Sequence, residues 1–306
     1  MRTAIYIVIF IFLSIGIAFT IRSTDIEKVL TEKKDKKDKK DKKKDKEEIV
    51  GSLDIQILEK YDVPDVLKEI SALVYLDENR FACIQDEIGK IFIYNTGTKK
   101  LEKEIPFAAA GDYEGLAIAG QTAFVLRADG TIFEVKNYNS GKPSTRMHKT
   151  HLTANHNSEG MCYDSSNNRL LIAIKGTEPR STDYKGIYSF SLSDMKMHQD
   201  PVYKIDLNNP AFDEFKSKKP GSQMQPSEIA IHPKTGDIYI IEATKPKLLI
   251  MDSKGTIKSI KPLNSKDFNQ PEGISFSPAG QLFISNEGNK EPGNIVEVGG
   301  LLEIKG

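Results

Sequence analysis

An acidic residue opening a strand-like run recurs along the chain, as Glu69-Ile70-Ser71, Glu114-Gly115-Leu116, Glu159-Gly160-Met161, Glu228-Ile229-Ala230 and Glu272-Gly273-Ile274. The intervals between these glutamates are 45, 45, 69 and 44 residues. A period in the forties that holds several short strands is the mark of β-propeller blades, since each blade is a small sheet that cannot cover its own faces. The one long interval contains Asn208 to Gln225, NNPAFDEFKSKKPGSQMQ, whose Pro, Lys, Ser and Asn content reads as a surface insertion. Without it the period is regular.

Within each period, alternation and β-branched or aromatic enrichment between turn residues predict strands. The first unit reads SALVYL, RFACIQ, KIFIYN and KLEKEIPF. The second reads GLAIAG, TAFVLRA, TIFEVKN and a weaker strand near Met147 to Leu152, and the third GMCYD, RLLIAIK, GIYSFSL and VYKIDL. The fourth reads EIAIHP, DIYIIEA, LLIMDS and TIKSIKPL, while the fifth stops after GISFSP, QLFISNE and NIVEVG, one strand short. A ring of sheets loses its exposed edges only when it closes. Leu53 to Val63, LDIQILEKYDV, therefore supplies the missing outer strand of the last blade in this reading. The expected class is an all-β, five-bladed β-propeller over residues 49–306. Leu301 to Ile304 is a candidate for a further strand there, and six blades are the alternative.

The N-terminus is of another kind. Ala4 to Ile21 is an apolar run behind Arg2, about the length of a bilayer core. Residues 1–22 read as a transmembrane anchor or a signal segment, and the anchor is preferred because the run continues past Ala18, the candidate cleavage point. Residues 23–48 form a charged low-complexity linker in which Lys33 to Lys46 holds ten lysines and four aspartates. Such a composition cannot bury apolar surface and is expected to be disordered, as a spacer or in contact with anionic head groups. Beyond residue 50 the chain carries 30 basic and 34 acidic residues, so no nucleic-acid partner is expected. Cys83 and Cys162 fall in separate units with neither disulfide nor metal spacing, and are expected to be unpaired core thiols.

Several phrases together resemble a known family: Gln85-Asp86-Glu87 with Gly89, Asp112-Tyr113-Glu114-Gly115 with Asp129-Gly130, Ser158-Glu159-Gly160, Pro226-Ser227-Glu228-Ile229-Ala230-Ile231-His232-Pro233, and Pro271-Glu272-Gly273-Ile274 with Ser285-Asn286-Glu287-Gly288. In this order, from Glu69 to about Val298, they resemble the SdiA-regulated, YjiK-like family of membrane-anchored bacterial propellers, distantly similar to NHL-repeat propellers. The resemblance implies a five-bladed fold, membrane anchoring and a Ca²⁺ site, and it implies no reaction. Lysines after a membrane span favour the cytoplasmic side, but these are diluted by aspartate. With the resemblance, the expected location is the cell (inner) membrane, single-pass, with the propeller facing the periplasm.

The repeated glutamates also suggest chemistry. Glu69, Glu114, Glu159, Glu228 and Glu272 would ring one mouth of the central channel. The loops after the second strands would add Asp86, Glu87, Arg127, Lys175, Glu242, Asn286 and Glu287 as a polar funnel. Carboxylates held close raise one another's pKa, and Arg127, Lys175 or a cation would relieve them; oxygen-only ligands suit Ca²⁺. A second reading remains open, in which each glutamate accepts backbone hydrogen bonds from the neighbouring blade and the following Gly permits close packing. Glu69 and Glu228, which precede Ile instead of Gly, fit that structural role better; Glu114, Glu159 and Glu272 fit the cation site. Of the histidines, His148 and His151 point to opposite strand faces, His156 reads as a turn residue within reach of the funnel, and His232 as solvent-facing.

Two functions follow. One is a calcium-binding module that holds a ligand or an envelope protein at the channel mouth. The alternative is a calcium-dependent hydrolase of lactones, esters or phosphate esters, for which Glu87, Glu242, Glu287 or a metal-bound water are the available bases.

Overall fold

Short alternating strands pair with their sequence neighbours and leave two apolar sheet faces to cover. Here the sheets cover one another around an axis. The structure, a computed structural model, describes residues 55–215, 217–219 and 221–300, all within the unit Asp54–Gly306. The anchor, the linker and Leu301 to Ile304 lie outside the described residues. Among those described, no helix is long and apolar enough to cross a membrane.

Strand β1 (Gln56–Asp62) and a 3-10 turn (Asp65–Leu67) lead into the first blade: β2 (Ile70–Asp77), β3 (Arg80–Gln85), β4 (Lys90–Asn95) and β5 (Lys100–Pro106). The second blade is β6 (Tyr113–Ala119), β7 (Thr122–Arg127), β8 (Ile132–Lys136) and β9 (Ser144–His148). The third is β10 (Ser158–Asp164), β11 (Arg169–Ile174), β12 (Tyr184–Ser191), β13 (Lys196–Met197) and β14 (Tyr203–Asp206). The fourth is β15 (Pro226–Ile231), β16 (Ile238–Glu242), β17 (Lys247–Met251) and β18 (Ile257–Pro262); then come β19 (Pro271–Phe276), β20 (Leu282–Asn286) and β21 (Asn294–Gly299). The last sheet has the order β1-β21-β20-β19. Gln56 pairs with Gly299 and Asp62 with Asn294, so the expected closure by the first strand is found. The described residues form five sheets, and no sixth.

Five buried clusters fill the five seams between blades. Between the first and second, for example, Ile84, Ile91 and Phe107 meet Tyr113, Val125 and Phe133. Between the fifth and first, Phe283 and Ile295 meet Phe81 and Phe92. Three local features differ from expectation. The outer strand of the second blade lies at Ser144–His148, earlier than Met147 to Leu152, because the turn after β8 sets Lys136 opposite Ser144. In the third blade β13 and β14 share the outer position on β12. The segment Asn208 to Gln225 is no simple surface insertion: its Phe212 and Met224 are buried in the seam between the third and fourth blades. Cys83 and Cys162 are both free thiols.

Candidate functional site

Every inner strand carries a β-bulge at the same place. The ladder to the second strand skips one residue between Ile70 and Ala72, Tyr113 and Gly115, Ser158 and Gly160, Pro226 and Glu228, and Pro271 and Gly273. The extra residues are Ser71, Glu114, Glu159, Ser227 and Glu272. A bulge bends its strand and re-aims a side chain; here Ser71, Glu114, Glu159 and Glu272 line one cavity of about 250 Å³ at the channel mouth. The bulge corrects the repeat read from the sequence. Glu69 stands two residues before its bulge and Glu228 one residue after, so neither is equivalent to the other three glutamates.

The displaced positions have separate roles. Glu228 is 1% exposed, and its Oε1 accepts the Met161 N–H at 2.5 Å and the Ile229 N–H at 2.9 Å. Burial pushes its carboxyl well above the ordinary range. It therefore ties the fourth blade to the third. Serines do the same at the other two bulges, Ser71 Oγ donating to Tyr113 O at 2.7 Å and Ser227 Oγ to Pro271 O at 2.8 Å. The Gly after a bulge makes room for the next blade: a Cβ on Gly160 would lie 2.7 Å from Glu228 Cα, and one on Gly115 would lie 2.8 Å from Met161 Cβ.

The loops that follow the second strands obey a parity the sequence does not display. Gln85, Arg127, Ile174, Glu242 and Asn286 pair with the residue before each bulge, and none of them lines the cavity. The next residue in each loop is Asp86, Ala128, Lys175, Ala243 or Glu287; of these Asp86, Lys175 and Glu287 do line it. A one-residue step puts a side chain on the opposite face. Arg127 accordingly turns to Asp129 (Nη2 to Oδ2 2.8 Å) and lies over the Phe133 ring, holding Asp129 down at about 2. It is not the counterpart of Lys175. Glu242 is buried against Lys247 and accepts the Gln225 N–H at 3.0 Å. Asn286 donates to Asn294 Oδ1 at 2.9 Å, and Glu87, one residue past Asp86, is exposed.

Six carboxyl groups thus meet around the cavity: Glu69, Asp86, Glu114, Glu159, Glu272 and Glu287. Lys175 is the one basic side chain in its lining, with Nζ 3.2 Å from Glu159 Oε1. Burial, then the charge of Glu159 and a hydrogen bond with Asp112, lift Glu114 to about 9. Burial lifts Glu272 to about 8 against the pull of Lys175. It lifts Glu159 to about 7, again opposed by Lys175. Asp86 and Glu287 are raised by burial and by their acidic neighbours. The cup therefore favours protons or a cation. A second layer was not singled out from the sequence. It stands two residues before each bulge: Glu69, Asp112, Asn157, Gln225 and Gln270 are all polar. Asn157 Nδ2 donates to Glu159 Oε1 at 2.5 Å, and Gln270 Nε2 donates to Glu287. The offset is constant from the bulges but not from the repeated glutamates, since Glu69 itself occupies the position and Gln225 stands three residues before Glu228.

The opposite half of the channel is apolar. Leu73, Leu116, Met161, Ile229 and Ile274, each two residues past a bulge, line a separate well of about 340 Å³ with Tyr75, Tyr163 and Phe276. The well and the cup share no lining residue. The histidines lie outside both. His148 Nε2 is 2.9 Å from Glu134 Oε2, and His151 and His156 pack on Tyr188. His232 is not simply solvent-facing, as it sits between Tyr239 and Phe276.

Carboxylate oxygens are the donor type that a hard cation such as Ca²⁺ takes, and Asp86 Oδ1 is buried without a partner. Among the described residues no group of three or more His, Cys, Asp or Glu side chains is gathered as a metal cluster. Lys175 stands among the carboxylates instead.

Five bulged blades around a carboxylate cup define a closed β-propeller with a polar mouth and an apolar base. The chain belongs to the SdiA-regulated family, whose model matches residues 51–290. No curated protein matches it in sequence. In fold it is similar to a glutaminyl cyclase from Myxococcus xanthus, at 16% identity and TM-score 0.54, over 80% of this chain and 95% of that one. It is also similar to the PQQ-bound aldose sugar dehydrogenase of Streptomyces coelicolor, at 11% identity and TM-score 0.51, over 80% and 97% of the two chains. At these identities the likeness concerns the fold alone.

Proposed function

We propose that this protein is a binding module of the cell envelope whose carboxylate cup takes a hard cation, Ca²⁺ foremost, and offers it to a ligand or an envelope protein at the channel mouth. The observation that carries the reading is the meeting of six carboxyl groups with a single lysine in one cavity. Glu114, Glu159 and Glu272 would hold the ion from the bulges, with Asp86 and Glu287 from the loops. The bound ion would supply positive charge that lets all of them ionise and an open position for a ligand oxygen. Residues 1–22 would anchor the protein in the inner membrane and residues 23–48 hold the propeller in the periplasm; the apolar run and the charged linker support this part. The test is thermal melting of residues 49–306, a chain that contains the strand closing its own ring. A ligand that binds only the native state raises the melting temperature, so millimolar Ca²⁺ should shift the transition upward relative to EDTA. Coincident curves overturn the reading.

A second reading, calcium-dependent hydrolysis in the channel, draws support from Glu159. A carboxyl lifted to about 7 beside an ammonium can take up and return a proton at neutral pH. Screening lactones, esters and phosphate esters separates the two functions. Calcium-dependent turnover abolished in Glu159→Gln favours the hydrolase, and no turnover across the panel leaves the binding module.

A further inference from the structure

Lys175 departs from the pattern of its own position. In the other blades the equivalent residue is Asp86, Ala128, Ala243 or Glu287, either acidic or too small to reach the channel. Lys175 alone brings a positive charge, and it brings it to the most deeply buried carboxyl of the cup, Glu159, which is 3% exposed. Its main chain is fixed on both sides: Lys175 N–H donates to Asn157 O at 2.9 Å, and Lys175 O accepts from Lys185 Nζ at 2.7 Å. The freedom that remains is in the side chain. Glu114 and Glu272 act on the same ammonium through space, so one flexible cation serves three carboxylates from three blades.

A second cavity of about 420 Å³ adjoins the cup between the fourth and fifth blades, lined by Thr244, Pro246, Ser265 and Asn269. Lys175, Gln270 and Glu272 line both cavities. Lys175 thus borders the side cavity as well as the cup.

We propose that Lys175 is an internal counter-ion standing in the cation position of the cup, so that it sets how tightly the cup takes a divalent ion. The inference rests on the cation reading above and adds the competitor built into the chain. Two cations in one low-dielectric cup repel, and a tethered ammonium is always present at high local concentration. Removing it leaves the carboxylates uncompensated and open to an external ion.

The experiment is calorimetric titration of Ca²⁺ into the wild type, Lys175→Met and Lys175→Gln, the last being a polar substitute should the first fail to fold. Far-UV circular dichroism in EDTA checks the fold of each. The neutral variants should bind Ca²⁺ about ten-fold tighter or more, as expected for removing a like charge a few ångströms away. Added methylammonium, which restores the missing head group untethered, should weaken Ca²⁺ binding in Lys175→Met and leave the wild type nearly unchanged. If the wild type binds Ca²⁺ and folded neutral variants bind it equally or less tightly, the counter-ion role is overturned and the cation site survives. If none of the three binds Ca²⁺, the cation reading falls and the counter-ion role falls with it.

Discussion

The Met161 N–H points into the Glu228 carboxylate across the seam between the third and fourth blades, 2.5 Å from Oε1. The acceptor is fully buried, and its other oxygen has no partner. A group whose folded pKa is raised gives stability that is complete below its unfolded pKa and is lost as pH rises through the folded value. Gln keeps the acceptor and never ionises. Glu228→Gln should therefore match the wild type near about pH 5 and exceed it in stability near about pH 9. Glu228→Ala, which strands the Met161 N–H and leaves a cavity, should cost about 2–4 kcal/mol at either pH. Urea denaturation across pH measures both.

The cup has the same sign and a defined window. Glu159, Glu272 and Glu114 are lifted to about 7, 8 and 9, above the ordinary carboxyl value. In EDTA the melting temperature should fall steadily as pH rises from about 5 to about 9. Combining Glu114→Gln, Glu159→Gln and Glu272→Gln should flatten that fall. An unchanged slope in the triple variant would show that the burden lies elsewhere.

Gly160 lets the inner strand of the fourth blade pass. A Cβ there would sit 2.7 Å from Glu228 Cα and 2.8 Å from its carbonyl carbon, main-chain atoms that can yield only by moving the blade. Gly160→Ala should cost about 1–3 kcal/mol as overpacking, read as a lower urea midpoint with an unchanged slope.

The Glu242–Lys247 pair is 1% and 2% exposed at its side chains, beneath the segment that carries Phe215, over whose ring Lys247 lies. Breaking one partner of a buried pair leaves an uncompensated charge. Lys247→Met should cost about 3–5 kcal/mol, and adding Glu242→Leu should restore much of the loss. A double-mutant cycle in urea checks the coupling.

The ring and its closure were legible in the sequence because both rest on long-range regularities. The period survives the insertion at Asn208 to Gln225, and the unfinished fifth unit calls for a strand that β1 provides. The site was legible only in part, because a bulge adds one residue and reverses the parity of everything read across it. Glu114, Glu159 and Glu272 line the mouth, and Glu228 has the blade-tying role that its following Ile suggested, whereas Glu69, given the same role in the sequence, lines the cavity instead. Arg127, Glu242 and Asn286 missed the cup by a single residue, whereas Asp86, Lys175 and Glu287, one step further on, reach it. Asp112, quoted only as part of a family phrase, and Asn157 were given no place in the site because their partners are the bulged glutamates, and those contacts exist only after the strand has bent.

Closing the last blade with β1 has a consequence in time. Gln56 and its partner Gly299 are 243 residues apart in sequence. At ribosomal speeds of about 5–20 residues per second, β1 waits roughly 10–50 seconds for β21 to be made. Throughout that wait it presents an unpaired strand edge, the element most prone to pair with another chain. Its own segment answers the risk, since Gln56–Asp62 places Glu59, Lys60 and Asp62 along the edge, charges that discourage a stray partner until the intended one arrives.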